Sequence, residues 1–466
     1  MNPKPPPFVS GAKPGIGHAL EFQQDMNGLI ARGFAEHGSV FAFKLASQNV
    51  VVVVGPEYQM TFFMETDKKL SIQEPYHFLK AMFGEILFLA PHEEYLRQRP
   101  FLMELFRRDK MLHYVDVMQE VVQEWLDDLG NEGEMELTGE IVHLVQQVAG
   151  NCFLGREANQ QIGQDFWEQY ANLAEGLDFV LPPNLPLPKF IRRDRAKAKM
   201  SEILQPIIAE RRANPGQYDD FLQDLVMKED QDGQPMSEEI VRNMLVGFMF
   251  AGHETTAGQA TWTIISLLQH RDYRQLVEEE IERVAPAGTH IDPQRMLQLD
   301  HVNWAVREVE RLRPSAELLM RVVKEDIQFG DYTVPAGWLV QVSQYLGHKL
   351  PALFDEPEKF DPLRFAPDRA EDKQHRFALF GFGGGTHKCT GMNFANNEMT
   401  IITALLFREF DLELLTPDPQ VVRGTGANHP AKTLVRYRRK KPLAATATPA
   451  LPESLPIEEP IEEVTA

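Results

Sequence analysis

The sequence predicts a mainly α-helical protein with a smaller β-sheet region. Three observations carry that reading. Apolar residues recur at helical spacing through most of residues 58–284. Residues 237–270 form the longest periodic stretch and are apolar on most faces (MLVGFMF, ATWTIISLL), as expected of a helix through the centre of a domain. β-Branched or alternating segments are short and lie towards the two ends, at 39–45 (SVFAFKL), 49–54, 321–344 and 410–438.

Each element has a local cause. Residues 1–17 are rich in Pro and Gly and read as extended chain. Residues 20–37 are helical, and the two segments that follow form a short hairpin. The run LPPNLPLP at 181–188 interrupts the helical region, because proline lacks a donor and clashes with the preceding turn. It separates a helix near 164–177 from a basic helix near 192–213. Ser237 suits an N-cap, and Glu238 and Glu239 complement the positive end of the central helix. At ~1.5 Å per residue this helix runs roughly 50 Å. Helices continue to about residue 313, strands flank turns at Gly330-Asp331 and Pro335-Ala336-Gly337, and a helix follows residue 391. Residues 1–441 are expected to form a single domain. Residues 442–466 carry five Glu, no Lys or Arg and much Pro and Ala, and read as a disordered acidic tail.

Composition narrows the function. A net charge of −21 argues against a general nucleic-acid binder. Two cysteines, Cys152 and Cys389, make no disulfide framework, so a reducing, cytoplasmic compartment is expected. Cys152 lies in an apolar helical run and reads as a packed thiol. There is no run of 18 apolar residues and no apolar signal core near the start, so no transmembrane anchor is expected.

The chemistry gathers in FGGGTHKCTG, residues 382–391. Glycines let the backbone turn tightly and approach a ligand closely. Cys389 sits in this loop just before a helix N-terminus, where N–H groups and the helix dipole favour a thiolate. Such a thiolate suits a nucleophile, a redox sensor or an axial metal ligand. No phosphate-loop signature accompanies the glycines.

The pattern F-x-x-G-x-x-x-C-x-G, carried by Phe382, Gly385, Cys389 and Gly391, resembles the cysteine loop of the cytochrome P450 superfamily. The resemblance implies a multihelical cytochrome P450 fold with a smaller β-sheet region. It also implies haem b (iron protoporphyrin IX) with Cys389 as the axial iron ligand, pushing electron density towards O–O cleavage. Three further segments follow the family's order. Ala251-Gly252-His253-Glu254-Thr255-Thr256 lies in the central helix; in the family the acid–alcohol pair, here Glu254 and Thr255, delivers protons to oxygen at the haem. A zinc-protease reading would need a second His at position 257, which is Ala257. Glu308-Val309-Glu310-Arg311 matches E-x-x-R, and Pro362-Leu363-Arg364-Phe365 matches P-x-R-F. The resemblance implies one buried triad of Glu308, Arg311 and Arg364. His387, Arg321, Arg97 and Tyr76 are the candidates for holding the haem carboxylates.

Several stretches resemble the sterol 14α-demethylase branch, among them Tyr76-His77-Phe78-Leu79 with Phe83-Gly84-Glu85, the proline-rich run at 181–188 and the basic segment after it. Two departures stand out. Glu254 occupies the place before the catalytic Thr where that branch usually has His, and FLAP (88–91) replaces an expected acidic residue. They fit a relative that hydroxylates a terpenoid, sterol-like or other lipophilic small molecule. Phe78, Phe83, Leu87, Phe248, Ala251 and Leu318 are candidate pocket residues. The chain has no flavin or nicotinamide module, so electrons are expected from a ferredoxin and its reductase or an equivalent donor. Lys388, Arg376, Arg107, Arg108 and Lys110 are the candidate docking patch. O₂-dependent monooxygenation is the leading function. The alternatives are a haem-thiolate isomerase or peroxygenase, and a non-catalytic haem-based ligand carrier or sensor.

Overall fold

The structure is a computed structural model that describes residues 4–84, 86–178, 181–229, 233–317, 319–423 and 427–441. Leu318 and the tail expected at 442–466 therefore lie outside the described residues. Fifteen α-helices and four small sheets occur among the described residues, which agrees with the mainly α expectation.

The central helix is Glu238–Gln269. The Ser237 hydroxyl accepts from the Ile240 N–H at 3.3 Å, capping its first turn. From Thr256 to Leu267 every residue is buried, so the helix has protein on all sides there. Two hydroxyls in that stretch are satisfied locally: Thr261 donates to the Ala257 carbonyl and Thr263 to the Gln259 carbonyl, at 2.7 and 2.8 Å. Gly258 is required by close approach, since a Cβ there would lie 2.5 Å from the Asn428 carbonyl oxygen.

The largest sheet has five strands in the order Val40–Leu45, Gln48–Val53, Leu339–Val342, Leu319–Val323, Leu70–Ser71. The hairpin of the first two is antiparallel, with Ala42 opposite Val51. The second pairs parallel with Leu339–Val342, Val51 opposite Val340. The sheet is thus built from chain segments nearly 300 residues apart. Both faces are covered. Phe41, Phe43, Val50 and Val52 pack on Leu29 and Ile30 of the helix Ala19–His37. Val40, Ala42, Val51 and Val53 share a cluster with Phe62, Phe63, Phe377 and Phe380. Two-sided burial explains the unbroken valine run at 50–54.

Other boundaries shift with physical cause. The helix expected from about residue 192 begins at Pro188 and runs to Ala213, because proline is favoured at the first helical position. The helix before the proline run spans Arg156–Ala174. A three-stranded sheet joins Glu132–Glu136, Leu434–Arg439 and Phe410–Leu414. Its first strand, EGEME, falls inside the region read as helical.

Candidate active site

The cysteine loop is held by its glycines. Gly383 and Gly385 have φ of 71° and 66°, in the region that L side chains avoid. At Gly385 a Cβ would also lie 2.7 Å from the Phe63 carbonyl oxygen, so the loop backbone lies hard against the helix Pro56–Met64. Gly384 sits against the stacked rings of Phe63 and Phe377, whose centroids are 5.2 Å apart. The Cys389 N–H donates to the Phe382 carbonyl at 3.0 Å, closing the loop before the helix Met392–Glu409 begins.

Cys389 is solvent-accessible in the protein alone, yet it is deeply surrounded by protein, so it borders an interior space. Burial pushes its thiol pKa up, and the Gly391 and Met392 N–H groups and the Lys388 charge act in the opposite direction. Across from it stands the central helix. A cavity of ≈ 40 Å³ is lined by Thr255, Thr256 and Gln259 on one side and by Gly381, Phe382 and Ala395 on the other. Ala251 is accessible, and a Cβ on Gly252 would meet nothing within 4 Å. An accessible cysteine in a glycine-held loop and an open stretch of the central helix fit a flat cofactor that a thiolate would hold.

The Thr255 hydroxyl donates to the Ala251 carbonyl at 2.7 Å, which leaves its oxygen able to accept. The Ser315 hydroxyl donates to the Thr255 carbonyl at 3.3 Å. Glu254 is half-buried. Burial, reinforced by the Glu254 charge, raises the pKa of Tyr170 well above its usual value. His253 faces the other way, into a box with Tyr170 and Trp167, at ring distances of 5.4 and 6.3 Å. Burial lowers its pKa to about 4.

Glu308, Arg311 and Arg364 come together with no exposed side-chain surface. Arg311 donates through Nε and Nη2 to the two Glu308 oxygens, both at 2.8 Å, in a bidentate pair. Arg364 Nε donates to Glu308 Oε1 at 3.1 Å. The cluster reaches further than the sequence motifs. Arg364 also donates to Glu371 at 2.5 Å, and Arg369 bridges Glu371 and Asp361. The remaining guanidinium donors find carbonyls of His348, Pro357 and Lys359. Glu310, which no motif singled out, accepts from the Gly381 N–H at 2.9 Å at the head of the cysteine loop. Burial pushes its pKa up to about 7.

The carboxylate-holding candidates separate. Arg321 is 3% exposed and donates to Thr66 Oγ1 at 3.1 Å and to the Met320 carbonyl at 2.7 Å. Tyr76 lies beside it and accepts from the Met320 N–H at 3.1 Å. His387 bonds Asp67 at 2.6 Å, and His92 reaches the same carboxylate at 2.9 Å. Burial works to raise the Asp67 pKa, but the two histidines outweigh it and hold the carboxyl below its usual range. Arg97 lies on the helix His92–Leu105. Its side chain is 54% exposed and pairs with Glu94. Two residues to either side, the helix His92–Leu105 instead turns Tyr95 towards the loop and sets Arg99 beside it. The Tyr95 hydroxyl donates to the Thr386 carbonyl at 3.1 Å, and its ring stacks on His387 at 4.2 Å. Phe248 packs edge-on against Phe106 and Phe221 at the border of an aromatic core. Phe78, Phe83 and Leu87 are buried, at 8%, 3% and 7% exposure.

The comparisons agree with this arrangement. The cytochrome P450 family profile matches residues 5–434. The sterol 14-demethylase of Arabidopsis thaliana is 31% identical over 451 residues, 94% of this chain and 92% of that protein. The chain belongs to the cytochrome P450 family. The sterol 14α-demethylase of Mycolicibacterium vanbaalenii is also 31% identical, over 93% of this P450 and 98% of the relative. Retinoic acid-bound cyanobacterial CYP120A1 superposes with a TM-score of 0.84 at 26% identity, covering 94% of this chain and all of that one. The protein is therefore a haem-containing monooxygenase that uses O₂ and an external electron donor. Among the described residues no helix is long and apolar enough to cross a membrane.

Proposed function

We propose that this P450 inserts one oxygen atom of O₂ into a lipophilic, sterol- or terpenoid-like molecule, and that the Cys389 thiolate would hold the iron of haem b. Bound haem supplies the O₂-activating chemistry. The observation that carries the substrate class is the apolar roof over the central helix. Phe83 packs on Phe250 at 4.9 Å between centroids, and Phe78 and Leu87 complete the covering segment. Two curated relatives that support the reading are named as sterol demethylases, and the structural neighbour is bound to retinoic acid.

The chain's residues divide the work. Thr255 Oγ1 and Glu254 hold and pass protons towards the oxygen site above Ala251 and Gly252. This acid–alcohol pair favours the O₂ route over a peroxygenase, which needs no such relay. Arg321, Tyr76, His387, Tyr95 and Arg99 surround the space for the haem carboxylates. The triad of Glu308, Arg311 and Arg364 holds the proximal segment beneath Cys389. A ferredoxin is the proposed donor, docking at exposed Lys388, Arg108 and Arg376. Arg107 and Lys110 contribute less, because Asp109 holds the first at 2.8 Å and Asp219 and Asp224 each hold the second at 3.0 Å.

The test is a spectral titration of haem-loaded protein with sterols, triterpenoids and retinoids, followed by turnover with a surrogate ferredoxin system. A low-to-high-spin shift and a product carrying one atom from labelled O₂ are expected. A panel without any shift would sink the lipophile reading.

A further inference from the structure

We infer that Glu310, Gln344 and His348 are positioning residues: they hold Phe380 and Gly381 at the head of the cysteine loop and through them fix where the Cys389 sulfur stands. This inference rests on the proposal above that the Cys389 thiolate holds haem iron, and it names side chains that set the ligand's place.

Phe380 and Gly381 belong to no helix or strand, so no backbone ladder satisfies their polar groups. Side chains do it instead. The Phe380 N–H donates to His348 Nε2 at 3.0 Å, and the Gly381 N–H donates to Glu310 Oε1 at 2.9 Å. The Gln344 amide nitrogen donates to both carbonyls, of Phe380 at 2.9 Å and of Gly381 at 3.2 Å. Three side chains thus meet every backbone polar group of the two residues. Gln344 and His348 are fully buried. Gly381 is pressed against Glu310, where a Cβ would lie 2.4 Å from Cγ. The His348 ring also meets the Phe380 ring edge-on, at 4.5 Å between centroids.

The hold passes in both directions. Towards the sulfur, the Phe380 carbonyl also accepts from the Gly383 N–H at 2.8 Å, and the Cys389 N–H closes the loop on Phe382. Away from it, Arg311 donates to the His348 carbonyl at 3.0 Å while it pairs with Glu308. The buried charge cluster therefore reaches the cysteine loop through His348. Glu310 precedes Arg311 on the helix Asp300–Leu312, and His348 caps the short helix Gln344–Gly347. Two separate elements converge on one pair of residues. His348 Nε2 can accept only while the ring is not doubly protonated. Burial, aided by the Arg311 charge, lowers its pKa to about 3, so it accepts throughout the neutral range. A fully satisfied buried network specifies one arrangement, and removing a member strands the groups it served.

The test uses haem-loaded protein carrying His348→Leu, Gln344→Met or Glu310→Leu, each of which removes one acceptor or donor and keeps an apolar side chain in its place. Two quantities are read: the share of the reduced carbonyl adduct with the red-shifted thiolate band, and the rate of haem transfer to excess apomyoglobin. Each variant is expected to lose part of the thiolate band and to release haem about tenfold faster. His348→Gln and Glu310→Gln keep an accepting oxygen and should stay within about threefold of wild type. Leu204→Ala, a cavity variant in the helix Pro188–Ala213, controls for destabilisation alone and should keep the full band. Should His348→Leu fail to load haem, restored loading in His348→Gln supports the inference, and failure of both overturns it. A full band with wild-type haem release in any of the three removal variants, or equal losses in Leu204→Ala, overturns the inference and leaves the proposed function standing. A wild type without the thiolate band overturns both.

Discussion

The two sides of the space between Cys389 and the central helix are built on opposite principles. Below, the charges of Glu308, Arg311, Arg364, Glu371 and Arg369 are paired with one another, and the first three have no exposed side-chain surface. Above, the covering segment is apolar: Phe78, Phe83 and Leu87 are buried, and Phe83 packs on Phe250. The proximal side is finished by charge pairing, whereas the distal side is closed by apolar packing. Paired charge below steadies the segment under the cysteine loop, and apolar packing above suits a lipophilic substrate.

The largest expected effect breaks the finished side. Glu308→Ala strands the Arg311 guanidinium, leaves Arg364 with Glu371 alone, and should cost roughly 3–5 kcal/mol, read by denaturant unfolding together with loss of haem retention. A stable, fully loaded variant would show that the triad does not hold the proximal segment.

Acid should act on both sides through buried histidines. Burial, aided by the Arg311 charge, lowers the His348 pKa to about 3, and burial lowers that of His253 to about 4, against 6.5 for an ordinary histidine. Both are neutral when folded, so the unfolded chain binds more protons as pH falls below 6.5. Their stabilisation is full above that value and shrinks as pH falls towards 3–4. At pH 5 the loss is about 2 kcal/mol for each. His348 Nε2 accepts from the Phe380 N–H at 3.0 Å on the proximal side. His253 lies on the distal side. Replacing either with Asn should flatten the slope of melting temperature between pH 7 and 5, and an unchanged slope in both would contradict the burial argument.

On the distal side, Thr255→Ala is expected to lower product formed per electron pair about tenfold, or ~1.4 kcal/mol, with the missing electrons recovered as peroxide. Unchanged coupling removes Thr255 from proton delivery. The smallest effect is expected from Arg97→Ala, within about 0.5 kcal/mol by thermal melting because its ion pair is exposed. Arg99→Ala should weaken haem retention more. A reversed ranking would restore Arg97 to the site.

What could be read in the sequence was what is local. Gly383, Gly385 and Cys389 lie within seven residues, and their spacing encodes the loop. The E-x-x-R pair is one helical turn, and the central helix carries its own cap and periodicity. The β-valines at 50–54 were legible as a strand for the same reason. Contacts made across the chain were not. The strand Glu132–Glu136 is too charged to read as β and exists because Leu434–Arg439 pairs with it from 300 residues away. Asp67 sits at φ 67° in a turn, and only the fold brings it to His387. On the helix His92–Leu105 the basic residues fall at 97 and 99, and nothing in the sequence says which faces inward.

The measurement that bears most directly on the account is the absorption spectrum of the reduced protein with carbon monoxide, taken beside that of Cys389→His. The wild type should give the red-shifted Soret band of a thiolate-ligated carbonyl adduct, and the variant should lose it. A wild-type spectrum of the imidazole-ligated globin type, or a red-shifted band that survives in Cys389→His, would contradict it.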